Sequence, residues 1–175
     1  MKKFILACLL FTFSVGVFGQ DKQNRTIKVY FLNEKFNPGL EDCRKVYPVT
    51  RTIPKTAAVA RAALEEFFKG VTPAEKIKGY VSFSPEETRA ILKSVKVKNK
   101  TAYVNFNKVV YQQLGSATSS CGGGFFSSIE KTLQQFPTIK KVFYAIEGSP
   151  KDFYDWVQVG KCPKELKNCS GKDFK

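Results

Sequence analysis

Two runs of residues, Ile91 to Lys98 and Thr101 to Asn107, mirror each other across Asn99-Lys100. That symmetry restricts the fold more than any other feature of the chain. A two-residue connection fixes the register of a hairpin. It sets Val97 opposite Ala102 and Val95 opposite Val104, with Lys96 opposite Tyr103 on the other face. Side chains alternate between the faces of a strand, so a slip of one residue would invert the whole pattern. Both runs put their apolar residues on one face under the same register, and turn and patterning therefore support each other. Lysine where glycine is preferred weakens a type I′ turn without preventing it.

The hairpin needs something to cover its apolar face, and the rest of the chain supplies candidates. Ile27 to Asn33 alternates Ile27, Val29 and Phe31 with Lys28, Tyr30 and Leu32, which reads as a strand with one dry face. Asn33 to Cys43 contains Asn37-Pro38-Gly39 and reads as a loop. Val46 to Ile53 reads as a second strand, and Pro48 pushes it toward an edge. Thr56 is placed to cap a helix whose inward side carries Ala57, Ala60, Ala63, Leu64, Phe67 and Phe68, with Gly70 ending it. Thr72-Pro73-Ala74-Glu75 and Ser84-Pro85-Glu86-Glu87 each have the pattern of a capping box with proline at the first helical position.

After the hairpin, Val109 to Leu114 suits a short helical turn, and Gly115 to Gly124 is small and polar. A second helix is predicted from near Gly124, with Phe126, Ile129, Leu133 and Phe136 inward and Pro137 as its stop. Lys141 to Glu147 is the last strand, closed by Gly148-Ser149-Pro150. The order strand, strand, helix, hairpin, helix, strand predicts a two-layer α+β domain with a mainly antiparallel or mixed sheet of about five strands and two main helices on one face. There is no internal repeat.

The N-terminus has the layout of a secretory signal peptide: Met1-Lys2-Lys3, then an apolar run from Phe4 to Phe18. Val17 and Gly19 suit the −3 and −1 positions, which places cleavage after Gly19 and makes residues 1–19 the signal peptide. A retained anchor is the competing reading, although the run falls short of the roughly 20 apolar residues that span a bilayer. Ile5-Leu6-Ala7-Cys8 looks like a lipobox but lies too early in the run. Cleavage would remove Lys2 and Lys3 and take the formal charge from +14 to +12. A domain over residues 20–148 and an extension over residues 149–175 would remain. The basic balance favours anionic surroundings, although the lysines are spread along the chain and also fit a plain soluble surface.

Export gives the cysteines a meaning. Cys43, Cys121, Cys162 and Cys169 form an even set after cleavage and read as two disulfides. Sequence alone does not choose among the three pairings. Cys162–Cys169, closing a small loop, and Cys43–Cys121, tying a strand start to a helix start, are the favoured pairs. No Cys-x-x-Cys pair and no histidine occur, so a zinc site is not expected. No cofactor is implied.

Several segments resemble a known family. Val46 to Ala63 (VYPVTRTIPKTAAVARAA), its continuation LEEFFKGVTPAE, the later TAYVNF and the run KTLQQFPTIKKVFYAIEG resemble, in that order, the GerMN domain of spore-germination envelope proteins. The resemblance covers Ile27 to Gly148 as a single copy. It implies an exported structural or assembly module without accepted catalytic residues. Some members carry cysteines before the second strand and before the second helix, which strengthens the Cys43–Cys121 pairing. The run Gly122-Gly123-Gly124 and the tail after Gly148 depart from the family pattern.

Residue chemistry narrows the function. Without histidine, neither a Ser-His-Asp nor a Cys-His arrangement can be built. A carboxylate pair remains conceivable for glycan cleavage. Glu65-Glu66 and Glu86-Glu87 are adjacent in sequence and point to different faces, which leaves Glu147 with Asp152 as the least poor pair, ahead of Asp155. Ser119, Ser120, Gly122, Gly123 and Gly124 form a candidate anion-binding segment before a helix, or else a tight turn that lets Cys121 reach its partner. Phe153, Tyr154 and Trp156 are a candidate contact surface, or else the glue that fixes the tail to the domain.

The leading expectation is a non-catalytic module of the cell envelope, periplasmic or extracellular, that binds another envelope protein or an anionic cell-wall polymer. Nucleic acid is not an expected partner, and no membrane span is expected after signal cleavage. The alternatives are a small peptidoglycan or glycan hydrolase using Glu147 and Asp152, and an inhibitor or scaffold for a secreted enzyme with the tail loop as its contact.

Overall fold

The structure, a computed structural model, describes residues 23–82, 89–114 and 122–175. The signal segment 1–19 with Cys8, the box Ser84-Pro85-Glu86-Glu87, and Ser119, Ser120 and Cys121 lie outside the described residues.

The hairpin forms in the anticipated register. β4 (Leu92–Lys98) and β5 (Thr101–Phe106) pair Val97 with Ala102, Val95 with Val104 and Lys96 with Tyr103. Asn99 and Lys100 have φ of 49° and 60°, the left-handed pair that a type I′ turn requires. β6 (Lys141–Ile146) lies on the far side of β5, in parallel. A parallel neighbour needs a long crossover. It is supplied by the segment holding α3 (Val110–Gln113) and α4 (Gly122–Gln134).

The second sheet has the order β2-β1-β3, built from β1 (Asn24–Asn33), β2 (Tyr47–Pro54) and β3 (Tyr80–Val81). Among the described residues, six strands in two three-stranded sheets therefore replace the single sheet of about five. The unanticipated β3 has two residues, too few to show alternation, and it pairs only with Leu32 and Asn33 of β1. Pro48 sits in β2 at the edge, where its missing N–H leaves no ladder bond unmade.

α1 (Val59–Phe68) and α4 pack against β1 and each other, and they also reach β4 and β6, respectively. Ala60, Ala63, Leu64, Phe67 and Phe68 are buried, as the helical spacing predicts. Ala57 is exposed, because the helix starts later than anticipated. Thr56 does not cap it: its hydroxyl accepts from the N–H of Ala58 at 3.1 Å, and Ala58 itself is the N-cap. A run of aromatic contacts joins the two sheets through this helix. Phe31 stacks on Phe67 at 5.4 Å, Phe67 meets Phe68 edge-on at 5.0 Å, and Phe68 meets Phe106 edge-on at 6.1 Å.

α4 begins at Gly122, slightly ahead of the anticipated start near Gly124. Phe125 is thereby buried while Phe126 is only half-buried, a shift of one inward position. Gln135, just past the helix end, accepts from the Lys28 N–H at 2.8 Å and donates to the Lys28 carbonyl at 2.6 Å. The Thr132 hydroxyl accepts from the Tyr30 N–H at 3.1 Å. Side chains thus occupy the edge of β1 that no strand among the described residues covers along this stretch.

α2 (Pro73–Ile77) carries the anticipated capping box of Thr72 and Glu75. Glu75 also takes Arg51 of β2 at 2.7 Å, with both side chains largely buried, and so ties α2 to the sheet.

The tail packs into the same core as the rest. α5 (Pro150–Trp156) is capped by Ser149, whose hydroxyl accepts from the Asp152 N–H at 3.2 Å. Phe153 is fully buried between Tyr144 and Phe106, with centroids at 4.9 and 5.9 Å. Leu166 and Phe174 are buried as well, and Phe174 meets Tyr103 edge-on at 5.3 Å on the outer face of the hairpin. A Cβ on Gly171 would fall 1.9 Å from the carbonyl oxygen of Gly148, so only glycine lets this return segment lie so close.

Candidate functional site

Each of the candidate carboxylates among the described residues has its own local partner or helix end. Glu147 sits just beyond β6 and is held by the Lys93 ammonium and by the Lys108 N–H at 3.0 Å. These two contacts, the Lys93 bond first, hold its carboxyl below the usual carboxylate value. A glycosidic general acid needs the opposite shift, a carboxyl kept protonated. Asp152 is exposed in the first turn of α5, where an acid complements the helix N-terminus. Glu65 and Glu66 pair with Arg61 and Lys69 on the surface of α1, and Asp155 with Lys151 on α5.

Of the candidate anion segment, Gly122, Gly123 and Gly124 form the first turn of α4, and Ser119 and Ser120 lie outside the described residues. A Cβ on Gly123 would meet the Arg44 side chain at 3.6 Å, which places a side chain, itself paired with Asp42, beside this turn. The contact surface expected of the tail is mostly interior. Phe153 and Tyr154 are buried, and Trp156 is half-buried against Tyr111 at 5.8 Å. Apolar burial at this density favours attachment of α5 over display of its aromatics.

Cys162 and Cys169 are joined, with Cα atoms 5.6 Å apart. Cys43 is disulfide-bonded; the pairing with Cys121 falls on a residue outside those described. Among the described residues no group of acids and cysteines is arranged to hold a metal ion. No described helix is long and apolar enough to cross a membrane.

Sequence reasoning missed a cluster between α4, β6 and α5. The Tyr144 hydroxyl is buried without a hydrogen-bond partner in good geometry among the described residues, and Glu130 is its charged neighbour. Burial pushes the Tyr144 phenol well up, with the Glu130 charge adding to it. Burial also raises the Glu130 carboxyl, against the opposing pull of Tyr144 and Lys131. Tyr154 is pushed up to about 12, by burial first. No spacing links these residues, so no motif announced them.

Tyr154 also lines a groove of about 390 Å³ between α5 and the loop that the Cys162–Cys169 bond closes. Lys151, Lys161 and Lys164 stand around it, with Leu166 beneath. A more apolar groove of about 320 Å³ runs between the start of α1, Val95 and Val97 of β4, and the Phe136–Ile139 turn.

The family model described as Germane, sporulation and spore germination, matches residues 28–152. Among solved structures, the tandem GerMN domains of the sporulation protein GerM from Bacillus subtilis are 23% identical. That match covers 72% of this chain and 40% of the other, with a TM-score of 0.49. The first GerMN domain of the same protein is 23% identical, covers 71% of this chain and 84% of the other, and gives a TM-score of 0.47. The chain thus spans two fifths of the length of the tandem structure. No curated protein matches the chain.

Proposed function

We propose, from the premise that this chain belongs to the Germane family of sporulation and spore-germination domains, that it works as a non-catalytic exported module of the cell envelope. It binds an anionic partner there, a wall polymer or another envelope protein, through its basic surface. The observation that carries this reading is the disposition of charge. The sequence has 29 Lys and Arg against 15 Asp and Glu. The acids Asp42, Glu75, Glu147 and Glu165 are already drawn into ion pairs within the fold. The surplus lysines therefore face solvent as uncompensated charge, which attracts polyanions over a distance set by salt. The paired state of Glu147 supports the non-catalytic part.

Pull-down of the purified protein with envelope extract and with isolated wall polymer tests this. Binding that weakens steeply as salt rises, with no release of new sugar ends, is the expected outcome. Sugar release abolished by Glu147→Gln would overturn it, and so would empty pull-downs at low salt.

A further inference from the structure

We infer that the groove between α5 and the disulfide-closed loop is a phosphate-binding site for a wall polymer, with Lys161 and Lys164 holding the phosphate oxygens; this rests on the reading of the chain as an anion-binding module of the envelope. The argument begins with which charges are already used. Lys151 is paired with Asp155, and Glu165, within the loop, is taken by Lys141 at 2.9 Å. Lys161 and Lys164 make no ion pair among the described residues, and both are exposed at the groove. Asp155, which also lines the groove, is neutralised there by Lys151, and Glu165 by Lys141 from outside, so these two lysines set the net charge that a ligand meets.

The residue type narrows the ligand. Among the described residues, no arginine lines the groove. Arg44, Arg51 and Arg61 are bound to Asp42, Glu75 and Glu65, and Arg25 lies over the Phe136 ring at 5.4 Å. An arginine fork gives planar, two-bond recognition of carboxylate or phosphate, whereas lysine is a compact point charge that imposes no plane and accommodates the tetrahedral oxygens of phosphate. Tyr154 forms part of the groove wall beside these lysines. A volume of about 390 Å³ admits one sugar- or polyol-phosphate unit, and an open groove lets a chain continue past it.

The groove is also rigid, which lowers the ordering cost of binding. The Cys162–Cys169 bond closes the loop, and Leu166 anchors it in the core. Gly160, Asn168 and Cys169, all at the groove, have φ of 71°, 53° and 52°. Glycine and asparagine enter the left-handed region readily, and Cys169 is held there by the loop that its own bond closes.

Titration calorimetry at low salt with soluble polyglycerol phosphate tests the site. Polygalacturonate of matched charge serves as the carboxylate control, and phosphatidylglycerol vesicles represent the alternative phosphate source. The expected result is tighter binding of polyglycerol phosphate than of polygalacturonate. Lys161→Glu/Lys164→Glu should weaken it by about tenfold or more, while Lys76→Glu/Lys78→Glu at the end of α2, an equal change of charge, should weaken it by about twofold or less. Equal losses in the two double variants overturn the groove and leave the wider reading standing. Failure of the unaltered protein to bind either polymer overturns both. Preference for the vesicles, lost with Lys161 and Lys164, overturns the wall polymer as the source of the phosphate.

Discussion

Gln135 pairs with Lys28 as a neighbouring strand would, accepting from its N–H and donating to its carbonyl through one side-chain amide. A strand edge left open is a template for pairing with other chains. Two bonds of ordinary net worth, about 1 kcal/mol each, predict that Gln135→Ala destabilises the fold by about 2 kcal/mol. Urea denaturation measures this, and sedimentation should show added self-association. An unchanged midpoint would mean that water serves Lys28 equally well.

The Asn99-Lys100 turn is satisfied by geometry more than by residue type. Lys100 holds a φ of 60°, where a side chain is strained and glycine is not. Lys100→Gly should therefore stabilise the hairpin by about 0.5–1 kcal/mol, read as a higher denaturation midpoint. A lower midpoint would show that the lysine makes contacts worth more than the strain.

How far such features can be read in advance differs along the chain. The hairpin register was legible because alternation in two strands and the length of one turn each determine it separately. β3 was not legible, because two residues carry no period and the strand exists only where Leu32 and Asn33 receive it. The inward choice of Phe125 over Phe126 depended on where α4 starts, and three glycines in a row do not mark that point. Tyr144 meets Glu130 only because α4 packs beside β6, a contact with no local signature. The groove at the tail was half legible: the cysteines announced a closed loop, but not that it would stand over Tyr154.

Glu147 makes stability depend on pH in a defined direction. Its folded pKa lies below its ordinary value of 4.5, so it binds fewer protons folded than unfolded in that range. The contribution is fully present above the unfolded pKa and is lost as pH falls through the folded one. The stability gap between the parent and Glu147→Gln should hold steady above pH 4.5 and close below it. Chemical denaturation across pH 2–7 checks this on the order of single pH units. A gap that persists at the acid end would assign the effect to something other than ionisation.

The Cys162–Cys169 bond closes a loop with a sequence separation of 7. Chain entropy for a loop of that size predicts that Cys162→Ser/Cys169→Ser destabilises the fold by about 2.5 kcal/mol. Denaturation with an unchanged slope, together with faster amide exchange at Leu166, is the expected pattern. Loss confined to the loop, with the global midpoint unmoved, would instead make the tail an independently opening unit.

The contact of Phe174 with Tyr103 has a consequence for the order of events during synthesis. The outer side of the hairpin stays uncovered until residue 174 has been made, 71 positions after its partner. Gly171 must also come to rest on Gly148 before that segment can close. A chain lacking this stretch presents an incomplete core, with Tyr103 bare on the outer side of the hairpin, so the hairpin is closed by a piece far from it in sequence.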